Sequence, residues 1–112
     1  MIQKNQKEWQ IIGEFYKYVH QHEDDVFLFT ISNGDEIVVK YETDADSDND
    51  LDMDDKNYEE FTEFYFTILK VVKNCSGQKL RKNKGIALNY HNFPVKWEVI
   101  KKEDISKFKI HC

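Results

Sequence analysis

Residues 26–43 read VFLFTISNGDEIVVKYET, and they carry the strongest folding signal of the chain. Two segments rich in β-branched and aromatic residues, 26–32 and 36–43, flank Asn33-Gly34-Asp35. Asn-Gly between such segments is typical of a β-hairpin with a type I′ turn, because both residues tolerate positive φ angles. In the second segment charged and apolar residues alternate, as they do on a strand with one buried face. The stretch therefore predicts two antiparallel strands.

The segments on either side of this hairpin predict one helix and further strands. Residues 58–73, YEEFTEFYFTILKVVK, fit both a helical stripe and a strand, and their Phe, Tyr, Thr, Ile and Val content favours a strand. Helical spacing predicts a helix at residues 6–20, and composition predicts strands at 86–92 and 95–101. Residues 44–55 and 74–85 have the composition of loops. Residues 102–112 could form a short closing strand or helix.

These elements predict a single α+β domain, residues 1–112. We expect the N-terminal helix to pack through Trp9, Ile12, Phe15 and Val19 on a curved, mostly antiparallel sheet or on a small five-stranded barrel. The element order across residues 6–101, together with the Asn33-Gly34 hairpin, resembles the small barrels of the Sm and SH3 type.

Seven aspartates lie in the twelve residues from Asp44 to Asp55, which read DADSDNDLDMDD. Residues 23–63 hold 16 acidic residues and only two basic ones, whereas the rest of the chain holds 14 basic and five acidic residues. Such asymmetry can mark a basic partner for the acidic region and an acidic partner for the basic region. The alternative is that the two regions lie side by side in the fold and neutralise each other.

We expect the acidic surface of residues 42–60 to bind a basic protein, because its charge would speed and select association. Aromatic residues near its rim would supply the desolvation energy. A second group of polar residues precedes Phe93-Pro94 in a predicted turn, where binding residues often lie. The predicted partner-binding residues are Asp46, Asp48, Asp50, Asp52, Tyr58, Tyr90 and His91.

The same acidic run also matches most of a calcium-loop pattern. The oxygen ligands of an EF-hand loop would be Asp44, Asp46, Asp48, Asp50, Asp52 and Asp55. Asn49 replaces the usual Gly, Asp55 replaces the longer Glu, and the preceding segment predicts a strand where an EF-hand has a helix. The alternatives are therefore a low-affinity calcium site and a solvated acidic loop without cofactor.

Other function classes have less support from the sequence. There is no GxSxG, P-loop or GxGxxG motif, so we expect a protein that is not an enzyme. Basic residues between Lys79 and Lys84 could contact RNA phosphates, with Tyr90, Phe93 or Trp97 stacking on bases. The pI of about 5.3 disfavours nucleic acid as the partner.

The sequence also predicts a cytoplasmic protein without membrane contact. No apolar run approaches the ~20 residues that span a bilayer, and the N-terminus lacks the apolar core of a secretory signal. Cys75 and Cys112 show no metal-ligand spacing, which favours two reduced thiols. The oligomeric state stays open.

Two stretches of the chain resemble small proteins of Gram-positive bacteria, some of which accompany toxin systems as immunity partners. The resemblance lies in the segment from Tyr41 through Asp48-Asn49-Asp50-Leu51-Asp52 to Tyr58-Glu59-Glu60-Phe61, and in residues 89–94, NYHNFP. It implies an immunity-type interaction protein that inhibits a basic toxin and brings no active site. A gene for a secreted toxin beside this one would support that function.

Overall fold

The computed structural model describes residues 6–110 of the chain. It contains one α-helix, five strands and a closing 3₁₀ helix. Their bounds are α1 Gln6–Gln21, β1 Val26–Thr30, β2 Glu36–Asp48, β3 Glu60–Lys73, β4 Gly85–Leu88, β5 Lys96–Ile100 and the 3₁₀ helix Lys102–Lys107. Of the predicted closing element at 102–112, residues 111 and 112 lie outside the described part.

The five strands form one antiparallel sheet in the order β4-β3-β2-β1-β5. This confirms the predicted α+β class with an N-terminal helix and an antiparallel sheet. The alternative of a small barrel is wrong, because β4 and β5 are the two edges of an open sheet and do not pair with each other. The ambiguous segment 58–73 forms a strand, as its composition indicated.

The β1–β2 turn differs from the predicted type I′ turn. Gly34 has a φ of 95°, but Asn33 is not among the residues with positive φ, and a type I′ turn requires both. The Gly34 N–H donates to the Ile31 carbonyl at 2.9 Å. A type I turn followed by a left-handed glycine fits these observations, because only glycine enters that conformation without steric cost.

Helix α1 covers one face of the sheet with a narrow apolar stripe. Ile12, Phe15 and Val19 are fully buried there, against residues of β1, β2 and β3. Trp9 was predicted to join them, but its side chain is 38% exposed. Its indole lies over Gly13, where an added Cβ would come within 3.1 Å of the ring. Gly13 therefore makes room for Trp9 on the outer side of the helix.

The 3₁₀ helix packs on the opposite face of the sheet. The Lys70 ammonium group donates to the Ile105 carbonyl at 3.1 Å and to the Phe108 carbonyl at 2.5 Å. These bonds satisfy carbonyl groups at the end of the helix and fix the C-terminal segment to β3. Among the described residues, no helix is long and apolar enough to cross a membrane.

Cys75 forms a disulfide bond, so the prediction of two reduced thiols is wrong for this residue. The only other cysteine of the sequence, Cys112, lies outside residues 6–110.

Part of strand β3 separates the acidic run from the basic loop. Residues 49–59 precede β3, and the basic loop 74–84 follows it and returns beside its middle, where the Asn83 amide donates to the Ile68 carbonyl at 2.6 Å and the Ile68 amide donates to the Lys84 carbonyl at 2.9 Å. Ile68 lies eight residues from Glu60, roughly 26 Å along a strand at about 3.3 Å per residue. No ion pair of the described residues joins residues 44–55 to the basic loop, so the two do not neutralise each other by direct contact.

Candidate functional site

The acidic run forms the far end of the β2–β3 hairpin, and we call residues 44–60 the acidic hairpin. Sequence composition predicted a loop from residue 44, but Asp44 to Asp48 continue β2 and pair with Phe64 to Glu60 of β3. Ladder hydrogen bonds to β3 thus override the low strand propensity of aspartate. Asp48 and Glu60 lie directly opposite each other, a like-charge pair that costs stability.

The loop at the end of the acidic hairpin is ordered by its own hydrogen bonds. The Asn49 side chain bridges its two ends, accepting from the Glu59 amide at 3.3 Å and donating to the Asn57 carbonyl at 2.8 Å. The Asp48 and Asp55 carboxylates accept from the amides two residues further on, both at 2.8 Å. Asp48 and Asp55 thus stabilise the loop conformation and also contribute to its negative charge.

The base of the acidic hairpin is tied to helix α1. Asp44 Oδ2 accepts from the Tyr41 hydroxyl at 2.5 Å and lies 2.7 Å from His20 Nε2. Burial and the bond to Asp44 raise the pKa of Tyr41, so its hydroxyl remains a donor at neutral pH. Burial, with the charges of Asp44 and Asp46, also raises the pKa of Tyr16 on the helix.

A second link joins the start of helix α1 to β3. Glu8 is fully buried, and its Oε2 accepts from the Thr62 amide at 2.8 Å. Strand β4 pairs with β3 only from Phe64 onward, so Thr62 lies beyond that pairing. The helix therefore contacts the acidic hairpin at Asp44 and the adjoining part of β3 at Thr62.

Glu59, at the end of the loop, connects the acidic hairpin to the turn after β4. Its carboxylate accepts from the Tyr90 hydroxyl and lies 2.6 Å from His91 Nε2. Burial of Glu59 raises its pKa, but hydrogen bonds from Tyr90 and His91 and the charge of Lys7 outweigh burial, so the pKa is below its usual value. Nearby, the Asn89 side chain donates to Glu63 at 2.8 Å.

An open cleft of about 620 Å³ lies beside Glu59. Tyr58 and Tyr90 contribute the aromatic part of its lining, and the Tyr58 hydroxyl donates to Glu60 at 2.9 Å. This bond, partial burial and the charges of Glu60 and Asp48 raise the pKa of Tyr58 to about 12. The cleft can accept hydrogen-bonding groups of a partner, and its residues are Lys7, Lys56, Asn57, Tyr58, Glu59, Glu60 and Tyr90.

The structure divides the predicted partner-binding residues into two groups. Tyr58, Tyr90 and His91 meet around Glu59 and the cleft. The four aspartates lie further out, Asp46 and Asp48 in β2 and Asp50 and Asp52 in the loop. Sequence reasoning missed the contribution of Glu59, Lys7 and Asn49 to this region. Each of them contacts residues that are distant in the sequence or belong to a different element, and no local pattern indicates such contacts.

The loop also exposes two apolar side chains among its aspartates. Met53 is 80% exposed and Leu51 is 40% exposed. The sequence predicted that aromatic residues would provide the apolar contacts of this surface, but at the end of the acidic hairpin these two aliphatic side chains hold that position. Exposed apolar residues ringed by charge are typical of binding surfaces.

The six predicted calcium ligands do not share one loop. Asp44, Asp46 and Asp48 lie in β2, while Asp50, Asp52 and Asp55 lie in the loop. Within residues 6–110 no group of three or more His, Cys, Asp or Glu side chains is placed so that it could hold a metal ion. Calcium binding stays a prediction, without the continuous loop of an EF-hand to support it.

Two of the aromatic residues considered for base stacking, Tyr90 and Phe93, lie in the core and are at most 8% exposed. Trp97 is partly buried and packs edge-on against Phe15 at 5.2 Å between ring centroids. Tyr90 and Phe93 therefore have little free face on which a base could stack.

Replacing Glu59 with Gln is expected to lower stability at pH 7 and to lose this effect in acid. Since the pKa of Glu59 is lowered by folding, its ionised form stabilises the fold above the ordinary value of about 4.3, and that contribution disappears as pH falls through the folded pKa. Melting temperatures of both proteins between about pH 7 and pH 3 measure the difference. The control is Glu14→Gln at an exposed helix position. A wild-type advantage that persists unchanged to the lowest pH contradicts the assignment.

Comparison with known proteins places these features in a family. The family model described as cognate immunity protein YxxD matches residues 10–102. No curated protein and no solved structure has a significant match to the chain. Because the family model covers most of the length of the chain, the chain belongs to the cognate immunity protein YxxD family.

Proposed function

We propose that this protein is a non-catalytic inhibitor that binds its cognate toxin through the acidic hairpin and covers a basic surface of that toxin. An immunity protein implies a protein partner. The observation that carries the proposal is the position of the acidic hairpin, which presents carboxylates and two exposed apolar side chains at the end of β2 and β3. An acidic surface is complementary to a basic surface of a partner.

The charge of the acidic hairpin is largely uncompensated within the protein. Lys56 is its only basic residue. Across the described residues, the ion pairs of the hairpin are Asp44 with His20 and Glu59 with His91, and none includes the four outer aspartates. These carboxylates therefore project a negative potential that attracts and orients a basic partner.

The apolar end of the acidic hairpin would supply the short-range part of the affinity. Charge at an interface mainly sets the association rate, whereas buried apolar anchors slow dissociation. Leu51 and Met53 are the exposed apolar side chains at this end. The hydrogen bonds of Asn49 fix the loop before binding, which reduces the entropy cost of ordering it in the complex.

The double variant Leu51→Ala with Met53→Ala is expected to raise the dissociation rate of the toxin complex about tenfold or more, since anchor truncations cost on the order of 1–2 kcal/mol or more. Surface plasmon resonance with the cognate toxin measures both rates. Association should change little, because the aspartates remain.

The matched control is the double variant Val95→Ala with Val99→Ala, which truncates two exposed apolar side chains, one just before β5 and one within it. It should leave the complex unchanged. Equal effects of the two double variants, or no effect of either, would reject the end of the acidic hairpin as the anchor.

The same proposal places the protein in the cytoplasm, where it would meet a toxin with an intracellular target. The disulfide at Cys75 is more typical of an oxidising compartment. Alkylation of Cys75 in intact cells, before lysis, distinguishes a reduced thiol in the cytoplasm from a disulfide in an oxidising compartment, because only a reduced thiol reacts.

A further inference from the structure

Strand β5 is an edge strand with an open outer side. It pairs with β1 through five consecutive residues, Lys96 to Ile100, and it is last in the strand order. Among residues 6–110, no other strand lies beyond it. Its outward amide and carbonyl groups can therefore form a ladder with an added strand.

The edge lacks several of the features that usually prevent strands from pairing. Edge strands are commonly protected by a bulge, a proline, short length or charged side chains. Strand β5 is short and carries Lys96 and Glu98, whose charges are opposite. The register between β5 and β1 has no shift, and Pro94 precedes the strand and is buried. Val95 is 68% exposed and Val99 is 43% exposed at either end of the edge.

The side chains of β5 are complementary to those of a second β5. When two copies pair antiparallel with Trp97 opposite Trp97, Lys96 of each copy lies opposite Glu98 of the other. Val95 of each copy then lies opposite Val99 of the other. The twofold symmetry produces each pair twice. Within one copy, Lys96 Nζ is already 2.9 Å from Glu98 Oε1 and both side chains are solvent-accessible, so changed rotamers suffice for the new pairs.

We propose that β5 is a self-association edge, at which a second copy of this chain adds its own β5 to form a continuous ten-stranded sheet. This inference goes beyond the proposed function and does not rest on it. The acidic hairpin belongs to β2 and β3, and β1 separates these strands from β5. Both copies would therefore keep their acidic hairpins free.

The dimer is expected to be weak, with a dissociation constant on the order of 10⁻⁴ M, because strands of five residues make a small interface. Sedimentation velocity between about 10 µM and 1 mM covers the transition. Raised salt should weaken the dimer, since the cross-strand pairs are exposed.

Two single variants test the register. Lys96→Glu and Glu98→Lys each put like charges opposite each other at all the charged positions of the interface. Either change should weaken self-association by about tenfold or more. An equimolar mixture of the two variants makes every opposing pair complementary again, so the mixture should associate about as tightly as the wild type.

The mixture also controls for folding, since a variant that misfolds cannot recover association by mixing. Replacing Asp46, Asp48, Asp50 and Asp52 with Asn should leave self-association intact, which separates this edge from the acidic hairpin. The proposal is overturned by a wild-type protein that stays monomeric up to about 1 mM, by single variants that still dimerise, or by a mixture that does not associate. If the wild-type protein is monomeric and either single variant loses toxin binding, β5 is a toxin-binding edge, and this result also overturns the proposal.

Discussion

Association with the toxin is expected to slow about 10- to 100-fold at low salt when Asp46, Asp48, Asp50 and Asp52 are replaced with Asn. The substitutions keep side-chain size and remove four charges that form no ion pair within the described residues. Stopped-flow or surface plasmon resonance measures the association rate across a salt series. The difference from wild type should shrink as salt rises, because the screening length falls from about 10 Å at 0.1 M to about 3 Å at 1 M.

The matched control removes four charges elsewhere on the surface, through Glu14→Gln, Glu23→Gln, Asp24→Asn and Glu103→Gln. Both variants change the net charge equally, so a larger effect of the first isolates the position of the charges. Equal slowing by both variants would mean that only net charge matters. Dissociation rates should change little in either variant, because the apolar anchors remain.

The second large effect is expected for Phe15→Ala, which should lower the free energy of unfolding by about 3–5 kcal/mol. Phe15 is fully buried, and its ring contacts six others at centroid distances of 5.0–5.8 Å, those of Phe27, Phe29, Phe64, Phe66, Phe93 and Trp97. Truncation leaves a cavity between helix α1 and the sheet that these rings cannot close. Typical domains have only about 5–15 kcal/mol in total, so the loss is a large share.

Denaturant unfolding followed by circular dichroism measures this effect. Trp9→Ala, on the same helix but partly exposed, is the matched control and should cost about 1 kcal/mol or less. Phe15→Leu should fall between the two, since it refills part of the cavity. Equal losses for Phe15→Ala and Trp9→Ala would contradict the central position of Phe15 in the core.

Local sequence patterns were sufficient for most of the elements. The spacing of Ile12, Phe15 and Val19 predicts the buried face of the helix, and Asn33-Gly34 predicts the hairpin, although not its turn type. These signals are reliable because they act between residues close in the chain. The pattern failed for Trp9, where the neighbouring Gly13 lets the ring lie along the helix instead of entering the core.

The site depends on contacts that no local pattern records. Strand β2 continues through Asp48 because β3 pairs with it, and that pairing is decided by tertiary structure. Glu59 meets Tyr90 and His91 across more than 30 residues. The predicted turn before Phe93-Pro94 indicates Tyr90 and His91 as candidates, but no local pattern identifies Glu59 as their partner. The sequence alone does locate the acidic surface, because the seven aspartates of residues 44–55 are evident from composition.

The separation of charge along the molecule determines how it attaches to surfaces. Of the 15 lysines of the sequence, Lys56 is the only one in the acidic hairpin, whereas Lys79, Lys82 and Lys84 lie in the basic loop. Amine coupling to a sensor chip therefore immobilises most molecules through other parts of the surface and leaves the acidic hairpin facing solution. By the same separation of charge, the protein should bind an anion-exchange resin through the acidic hairpin at low salt near neutral pH, where its net charge is −5.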